Sequence, residues 1–290
     1  MLYLRSLQLP SDREEYEMIL YKKNIHNTLY PLNLFPQKEL EHIEFEPITI
    51  FYGGNGSGKT TLLNIIGDTI QASRRNNENR SDLFHKYIEL CRRNYVLVHE
   101  KECREKKYIS SDDVFDYLLD IRAINSNINR RKDHLIDEYY EYKNIPAQDY
   151  LSDPDRYDEL QNKIDANKMT VSKYVRSRLR NNTVIHQSNG ETALDFWQDE
   201  INDNSLYLID EPENSLSAEN QLKLKQFIEE SVRFLNCQFI IATHSPFLLA
   251  LRDAKIYDLD SIPVQTRKWT ELENVRTYFE FFKEHFDELK

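Results

Sequence analysis

A glycine-rich stretch has the residue types and spacing of a phosphate-binding loop. Residues 53–60 fit the pattern G-x-x-x-x-G-K-[ST], and four of the six glycines of the chain lie there. Glycine lets the backbone wrap an anion so that successive N–H groups point inward. In this pattern the lysine reaches the β- and γ-phosphates of a nucleotide, and the threonine hydroxyl binds Mg²⁺. A glycine turn without a ligand is the alternative. We predict an ATP site with these contact residues: Gly53, Asn55, Gly56, Ser57, Gly58, Lys59, Thr60 and Thr61.

Two acidic residues follow a second apolar run. Residues 206–209 read as a buried strand, and Asp210 and Glu211 come directly after it. In nucleotide sites built on a phosphate loop, Mg²⁺ is held by the hydroxyl group of the loop and by an aspartate at the end of a neighbouring strand. We therefore predict Thr60 and Asp210 as the metal ligands. Glu211 is then placed to accept a proton from the water that attacks the γ-phosphate. A strand that ends in two solvated acids is the alternative interpretation.

Two further features complete the predicted site. His244 follows the apolar run 238–243 and is suited to a hydrogen bond with the γ-phosphate, although alone it would more often be structural. Ser188, Gly190 and Glu191 precede a predicted helix and predict a second anion site. A plain capping box is the alternative, and both roles are compatible. One nucleotide loop and two anion-binding helix starts favour a head-to-tail homodimer, with Lys59, Glu211 and His244 catalytic.

The elements that carry these residues predict an α/β fold. Continuous apolar runs at 47–52, 206–209 and 238–243 alternate with helices, which indicates a mostly parallel sheet covered on both faces. We predict a core formed by residues 1–70 and 183–290, with a mostly helical inserted lobe at 71–182. The last predicted helix, 273–290, has an apolar stripe that indicates core packing, with partner binding as the alternative. The stripe contains Val275, Tyr278, Phe279, Phe282, Phe286 and Leu289.

Composition limits the classes of function. The formal net charge is −11, which argues against a general nucleic-acid coat, and the basic segment 173–180 is either a local DNA contact or a solvated helix face. The three cysteines show no paired spacing, which is typical of cytosolic free thiols. No apolar run reaches 18 residues and the first residues do not resemble a signal peptide, so we expect a cytoplasmic protein without a membrane segment.

These motifs, in this order, resemble those of the ABC-type ATPase superfamily. The Ser-x-Gly-Glu signature is similar to that of SMC, RecF-type and related ATPases, and differs from the Leu-Ser-Gly-Gly-Gln of transporters. The sequence is most similar to small, standalone bacterial ATPases of the AAA/ABC type over residues 30–70 and 183–290. By this resemblance, the chain contains a Walker A motif at 53–60, a signature at 188–191, a Walker B motif at 206–211, a D-loop at 214–217 and a switch histidine at His244.

The resemblance implies a P-loop NTPase fold with an ABC-ATPase head, and ATP and Mg²⁺ as cofactors. It further implies an ATP-driven dimer that acts as a switch on an effector protein, in DNA-linked or phage-defence work. The region that matches the family's Q-loop, 108–115, contains no glutamine, and Ser111 or Asp112 are the substitutes. A transporter's nucleotide-binding subunit is one alternative, although it would need the transporter signature and a Q-loop glutamine. A nucleotide kinase or a module that binds without hydrolysis is another.

Overall fold

The computed structural model describes residues 1–20, 29–75, 81–92, 95–144, 157–178 and 189–290. The chain divides into two compact units, one formed by Met1–Phe115 with Asn189–Lys290 and the other by Asp116–Ser188. The inserted unit therefore begins later than the predicted residue 71. The reason is that the strand Glu105–Ser110, which lies inside the predicted lobe, pairs with the strand Ser205–Asp210 of the main sheet.

The described strands form two sheets in the first unit. A three-stranded antiparallel sheet has the order β2-β1-β4, and a six-stranded sheet has the order β5-β6-β7-β3-β8-β9. In the larger sheet every pairing is parallel except that of β9 with β8. The strands are β1 (Leu4–Gln8), β2 (His42–Glu44), β3 (Ile48–Tyr52), β4 (Tyr95–Leu97), β5 (Glu105–Ser110), β6 (Ser205–Asp210), β7 (Gln238–Ala242), β8 (Lys255–Asp258) and β9 (Gln265–Arg267).

The described helices surround this sheet or form the second unit. They are α1 (Asp12–Leu20), α2 (Lys59–Ile70), α3 (Asp82–Arg92), α4 (Ser111–Asn144), α5 (Tyr157–Lys168), α6 (Val171–Arg178), α7 (Asn189–Glu200), α8 (Ala218–Phe234), α9 (Pro246–Leu249) and α10 (Glu273–Glu284). The helix α8 follows β6 and the 3₁₀ turn Pro212–Ser215. Ser217 begins this helix as its N-cap, because its side chain accepts a hydrogen bond from the Asn220 N–H.

The strand register brings the predicted site residues to one edge of the sheet. Asp210 of β6 lies opposite Ala242 of β7, and Ala242 lies opposite Phe51 of β3. These three strands are parallel, so their carboxyl ends share an edge, and ligands of open α/β sheets bind at such an edge. The strands are buried along their whole length, which explains why they read as continuous apolar runs.

The core lies between the sheet and α2. Leu62, Leu63, Ile65 and Ile66 of this helix are fully buried in one cluster with residues of β3, β6 and β7. A buried glutamine joins the two sheets: Gln238 Oε1 accepts the N–H groups of Tyr3 (2.7 Å) and Leu4 (2.8 Å), and its Nε2 donates to Leu4 O (2.8 Å). The packing of α2 against the sheet fixes the direction in which its first turn points.

The second unit contains most of α4 together with α5 and α6. Tyr139, Ala166 and Tyr174 form its small buried cluster, and the Tyr139 hydroxyl donates to Met169 O at 3.1 Å. The Arg178 guanidinium lies 3.6 Å from the centroid of the Tyr174 ring. Residues 179 and 180 of the predicted basic segment lie outside the described residues.

The predicted core packing of the last helix is wrong. α10 ends at Glu284 and a short 3₁₀ turn follows at Phe286–Glu288, so the helix does not continue to residue 290. Val275 is buried, whereas the rest of the predicted stripe is between 45% and 65% exposed. The helix contacts the described core through its first turn, where Asn274 bonds with Tyr52 and His244, so the aromatic residues beyond that turn face away from it. The exposed members of the stripe are Tyr278, Phe279, Phe282, Phe286 and Leu289.

Candidate nucleotide-binding site

The phosphate loop connects β3 to α2 in a conformation that requires glycine. Gly56 and Gly58 have φ values of 78° and 99°, a left-handed region that disfavours residues with a side chain. A Cβ at Gly58 would also lie 3.1 Å from Leu34 Cδ2, and one at Gly53 would lie 2.5 Å from Ser57 Oγ. The loop ends where α2 begins, so the positive end of the helix dipole faces an anion held in the loop.

Lys59 lies buried within this loop. Its Nζ donates hydrogen bonds to the carbonyl oxygens of Gly53 (2.8 Å) and Gly54 (3.0 Å), and it lies 3.7 Å from Glu211 Oε1. Ser57 Oγ is buried and has no hydrogen-bond partner among the described residues. The loop thus presents a buried ammonium group and an unpaired hydroxyl, both suited to phosphate oxygens.

Asp210 has the features of a cation ligand. Burial raises the pKa of its carboxyl group to about 6, although hydrogen bonds from the Thr60 and Tyr108 hydroxyls act in the opposite direction. Tyr108 Oη lies 3.3 Å from Asp210 Oδ2, while Oδ1 is buried without a partner in the described structure. A buried oxygen of this kind next to a threonine hydroxyl fits Mg²⁺, a cation that prefers oxygen ligands.

No cluster of three or more His, Cys, Asp or Glu side chains within the described ranges could hold a metal by itself. Such a cluster is not required for Mg²⁺, because this ion is usually bound by one or two carboxylates together with substrate phosphates and water. Thr60 and Asp210 therefore fit the magnesium site that the sequence predicts.

Glu211 lies between the predicted lysine and histidine. Its backbone has φ 47° and ψ 56°, a left-handed conformation that is uncommon for residues other than glycine. Its Oε1 lies 3.7 Å from Lys59 Nζ and 4.0 Å from His244 Nδ1, and its Oε2 accepts a hydrogen bond from Asn214 Nδ2 at 3.1 Å. The carboxylate is thus held beside the phosphate loop.

His244 lies at the same edge, and its side chain is exposed. Its Nδ1 lies 3.3 Å from Glu213 Oε1, and its backbone N–H donates to the same oxygen at 2.9 Å. On the other side, Asn274 Nδ2 of α10 donates to His244 O at 2.7 Å. The histidine is therefore fixed by two elements that do not belong to the phosphate loop.

A cavity of about 430 Å³ opens beside the loop. Residues 53–55, His244, Asp260 and Asn274 contribute to its walls. Asp260 Oδ2 accepts a hydrogen bond from the Gly54 N–H at 2.8 Å, so one N–H of the loop is already bonded to a carboxylate. The cavity therefore has one wall from the phosphate loop and another from the first turn of α10.

The structure brings together most of the predicted site. Lys59, Thr60, Asp210, Glu211 and His244 meet at the carboxyl edge of the sheet. The other loop residues predicted to contact the nucleotide lie in the loop itself or, like Thr61, in the first turn of α2.

The structure describes only part of the predicted second anion site. Ser188 lies outside the described residues, whereas Gly190 and Glu191 lie in the first turn of α7. Their role in binding the ATP of another copy stays a prediction.

Several of the described residues at the site were not predicted to belong to it from sequence. Tyr108 reaches Asp210, Glu213 reaches His244, Asp260 reaches the phosphate loop and Asn274 reaches His244. A local signal existed for Glu213, which lies two residues after Glu211, and for Tyr108, which begins the region matched to the Q-loop.

The region that matches a Q-loop begins α4. Asp113 Oδ2 accepts the backbone N–H and the hydroxyl of Ser110 at the start of that helix, at 2.8 and 2.9 Å. Asp113 therefore caps a helix, whereas Tyr108 in the preceding strand contacts the predicted metal ligand.

A known protein family matches part of this site. Residues 191–249 match the AAA ATPase domain family, a segment that includes β6, β7 and the site residues Asp210, Glu211 and His244. Over this segment, the match agrees with the predicted resemblance to ATPases of the AAA type. In the first unit, the loop, the acidic strand end and the histidine lie at one edge of a mainly parallel sheet.

Among solved structures, the chain is similar to the SMC head domain of Thermotoga maritima (12% identity, TM-score 0.37, 92% of this chain and 99% of that one). It is also similar to the SMC head domain of Pyrococcus furiosus with an extended coiled coil, bound to the C-terminal domain of ScpA (14% identity, TM-score 0.39, 98% of this chain and 99% of that one). An inward-facing structure described as a metal-chelate type ABC transporter also matches (14% identity, TM-score 0.39, 97% of this chain and 90% of that one). No curated protein matches the chain.

Within the described ranges of the chain, no helix is both long enough and apolar enough to cross a membrane.

Proposed function

We propose that the chain binds ATP and hydrolyses it to ADP and phosphate. The position of Glu211 carries this proposal, because its carboxylate lies near both Lys59 Nζ (3.7 Å) and His244 Nδ1 (4.0 Å). A carboxylate beside the phosphate-binding groups is placed to accept a proton from the attacking water. Lys59 then binds the β- and γ-phosphates, and His244 donates a hydrogen bond to the γ-phosphate.

Thr60 and Asp210 are the proposed ligands of Mg²⁺, which supplies positive charge against the phosphate oxygens. The unpartnered Asp210 Oδ1 supports this assignment, since a buried carboxylate oxygen without a donor is costly. Tyr108 orients this carboxyl group through the other oxygen, which leaves Oδ1 for the cation.

We further propose that two copies associate head to tail, with Ser188, Gly190 and Glu191 of one copy completing the ATP site of the other. The location of Gly190 and Glu191 in the first turn of a 12-residue helix supports this, because the N–H groups there favour an anion. ATP binding closes the dimer and hydrolysis opens it. The proposed target of this switch is an effector protein. Both this target and the link to DNA or phage defence are proposed from the family resemblance.

Phosphate release measured over a range of protein concentrations tests the dimer. We expect the specific activity to rise with concentration, because the active site forms between two copies. Ser188→Arg should abolish the rise, since a long cationic side chain would then occupy the proposed contact. Specific activity that is flat with concentration and equal in the variant would refute the head-to-tail arrangement.

The role of Glu211 has a separate test. We expect Glu211→Gln to retain ATP binding and to lower the rate of hydrolysis by about 100-fold or more, since an amide does not act as a general base. Glu219→Gln, at an exposed position of α8, is the matched control and should keep the wild-type rate. Equal rates in the wild type and Glu211→Gln would remove Glu211 from the reaction.

A further inference from the structure

We propose that Glu213 is a positioning residue that fixes the ring of His244, so that Nδ1 faces the Glu213 carboxylate and Nε2 is available to the nucleotide. This inference rests on the proposed function. Its basis is a single carboxylate oxygen on which donors from the end of β7 converge. Glu213 Oε1 accepts from Thr243 Oγ1 at 2.6 Å, from the His244 N–H at 2.9 Å and from the Ser245 N–H at 3.2 Å, and the His244 ring nitrogen Nδ1 lies at 3.3 Å.

Burial makes these contacts strong. Glu213 is 7% exposed, and its other oxygen, Oε2, has no hydrogen-bond partner within the described part of the chain. In a poorly solvated environment a hydrogen bond to a charged group is stronger than in water. The two backbone N–H groups belong to consecutive residues, which keeps the end of β7 turned toward the carboxylate. The position of the His244 ring therefore depends on Glu213.

The position of Glu213 is in turn set by the residues before it. Glu211 adopts the left-handed conformation and the 3₁₀ turn Pro212–Ser215 follows at once. This turn directs the carboxylates of Glu211 and Glu213 toward the same ring, with Oε1 atoms 4.0 and 3.3 Å from His244 Nδ1. The two acids have different surroundings: Glu211 is 27% exposed beside the phosphate loop, whereas Glu213 is buried behind the histidine.

The chemistry of the contact selects the protonated ring nitrogen. An ionised carboxylate accepts hydrogen bonds and donates none, so Nδ1 carries a proton when it faces Glu213. The same arrangement of carboxylate and imidazole sets the ring orientation in metal sites. Nε2 is then the nitrogen available to a ligand in the cavity that His244 lines. A phosphate oxygen only accepts hydrogen bonds, so a ring that donates to it through Nε2 while Nδ1–H faces Glu213 carries a proton on each nitrogen.

Asn274 provides a means of separating ring from backbone effects. Its Nδ2 holds the carbonyl oxygen of His244 at 2.7 Å, independently of Glu213. Loss of the Glu213 carboxylate therefore leaves one side of the His244 backbone fixed while it frees the ring. A residue that acted on the backbone alone would not change the ring tautomer.

The test combines a spectroscopic and a kinetic measurement on Glu213→Ala and Glu213→Gln. Nitrogen-15 NMR of histidine-labelled, nucleotide-free protein reports the tautomer of His244 at a pH at which the ring is neutral, and His244→Gln assigns the signal. We expect the Nδ1–H tautomer in the wild type and a shift toward Nε2–H in both variants. Glu213→Gln keeps an acceptor for the backbone N–H groups, so this variant tests the charge even where Glu213→Ala does not fold.

The kinetic expectation is specific to the turnover step. We expect kcat to fall by about 10-fold in Glu213→Ala, as for the loss of a hydrogen bond to a charged group, and less in Glu213→Gln. ATP affinity should change by less than about 3-fold, because the phosphate loop is untouched. The matched control is Glu229→Gln, since Glu229 Oε1 also accepts a backbone N–H, that of Arg252 at 3.0 Å, but contacts no site residue.

The two proposals fail in different ways. A wild-type protein that releases no phosphate overturns the proposed function, whereas the tautomer measurement needs no nucleotide and still tests Glu213. An Nδ1–H fraction that is equal in the wild type and both variants overturns the inference. Loss of ATP affinity in proportion to kcat, with the tautomer unchanged, would make Glu213 a residue of general stability and would equally overturn it.

Discussion

Without ligand, the Asp210→Asn variant should gain stability relative to the wild type as the pH rises. Burial raises the pKa of this carboxyl group from 3.8 to about 6 in the folded chain. The folded state then binds the proton more tightly than the unfolded state does. The free energy of unfolding of the wild type therefore falls as the pH rises from 3.8, the ordinary pKa, through about 6, the pKa in the folded chain. Above about pH 6 the loss approaches about 3 kcal/mol, from 1.36 kcal/mol for each pKa unit. Asparagine carries no charge and avoids this loss.

The pH-dependent part is separable from the other effects of the substitution. An amide in place of the carboxylate alters the hydrogen bonds with Tyr108 and Thr60, but this change contributes equally at each pH. Urea unfolding in the presence of EDTA, at about pH 4.5 and about pH 7.5, measures both proteins. We expect the free energy of unfolding of Asp210→Asn, relative to the wild type, to increase by about 2 kcal/mol between these values.

Magnesium should also distinguish the two proteins. Mg²⁺ with nucleotide should stabilise the wild type and have a much smaller effect on Asp210→Asn, because the variant lacks the charged ligand. A difference in unfolding free energy that is constant with pH in EDTA would refute the argument that burial of a charged carboxylate destabilises this edge of the sheet.

Three other substitutions test separate parts of the structure. Gln238→Leu should lower the free energy of unfolding in urea by about 3 kcal/mol or more, because it leaves the N–H groups of Tyr3 and Leu4 buried without an acceptor; a loss below about 1 kcal/mol would contradict this. Gly58→Ala should cost about 1–3 kcal/mol and weaken nucleotide binding measured by calorimetry, since φ is 99° there; unchanged affinity would argue against the loop geometry. Phe282→Ser should change stability by less than about 0.5 kcal/mol because the ring is 52% exposed, whereas a loss of about 3 kcal/mol in thermal unfolding would restore the core-packing prediction.

Local patterns predicted the parts of the site that depend on chain continuity. The phosphate loop lies between a strand and a helix because glycines follow an apolar run and an amphipathic segment follows them. Asp210, Glu211 and His244 were found because each comes at or just after the end of a continuous apolar run. Such runs are typical of buried parallel strands, and the strand ends are where ligands bind.

The error over the last helix has a physical cause of a different kind. An apolar stripe records which face of a helix avoids water, but it does not record whether a neighbour covers that face. In α10 the described core reaches Val275 and no further along the stripe, so Phe279 and Phe282 stay exposed despite a correct helical period.

By itself, therefore, the amino-acid sequence determined the phosphate loop, the strand that ends at Asp210 and the strand that precedes His244. Short-range glycine spacing encodes the loop, and continuous apolar runs encode the two strands. Only the tertiary structure decided which side chains support these groups. Tyr108 meets Asp210, Asp260 meets Gly54 and Glu213 meets His244 across separations of 102, 206 and 31 residues. Such contacts follow from strand register and helix packing, and neither is contained in the spacing of residues along the chain.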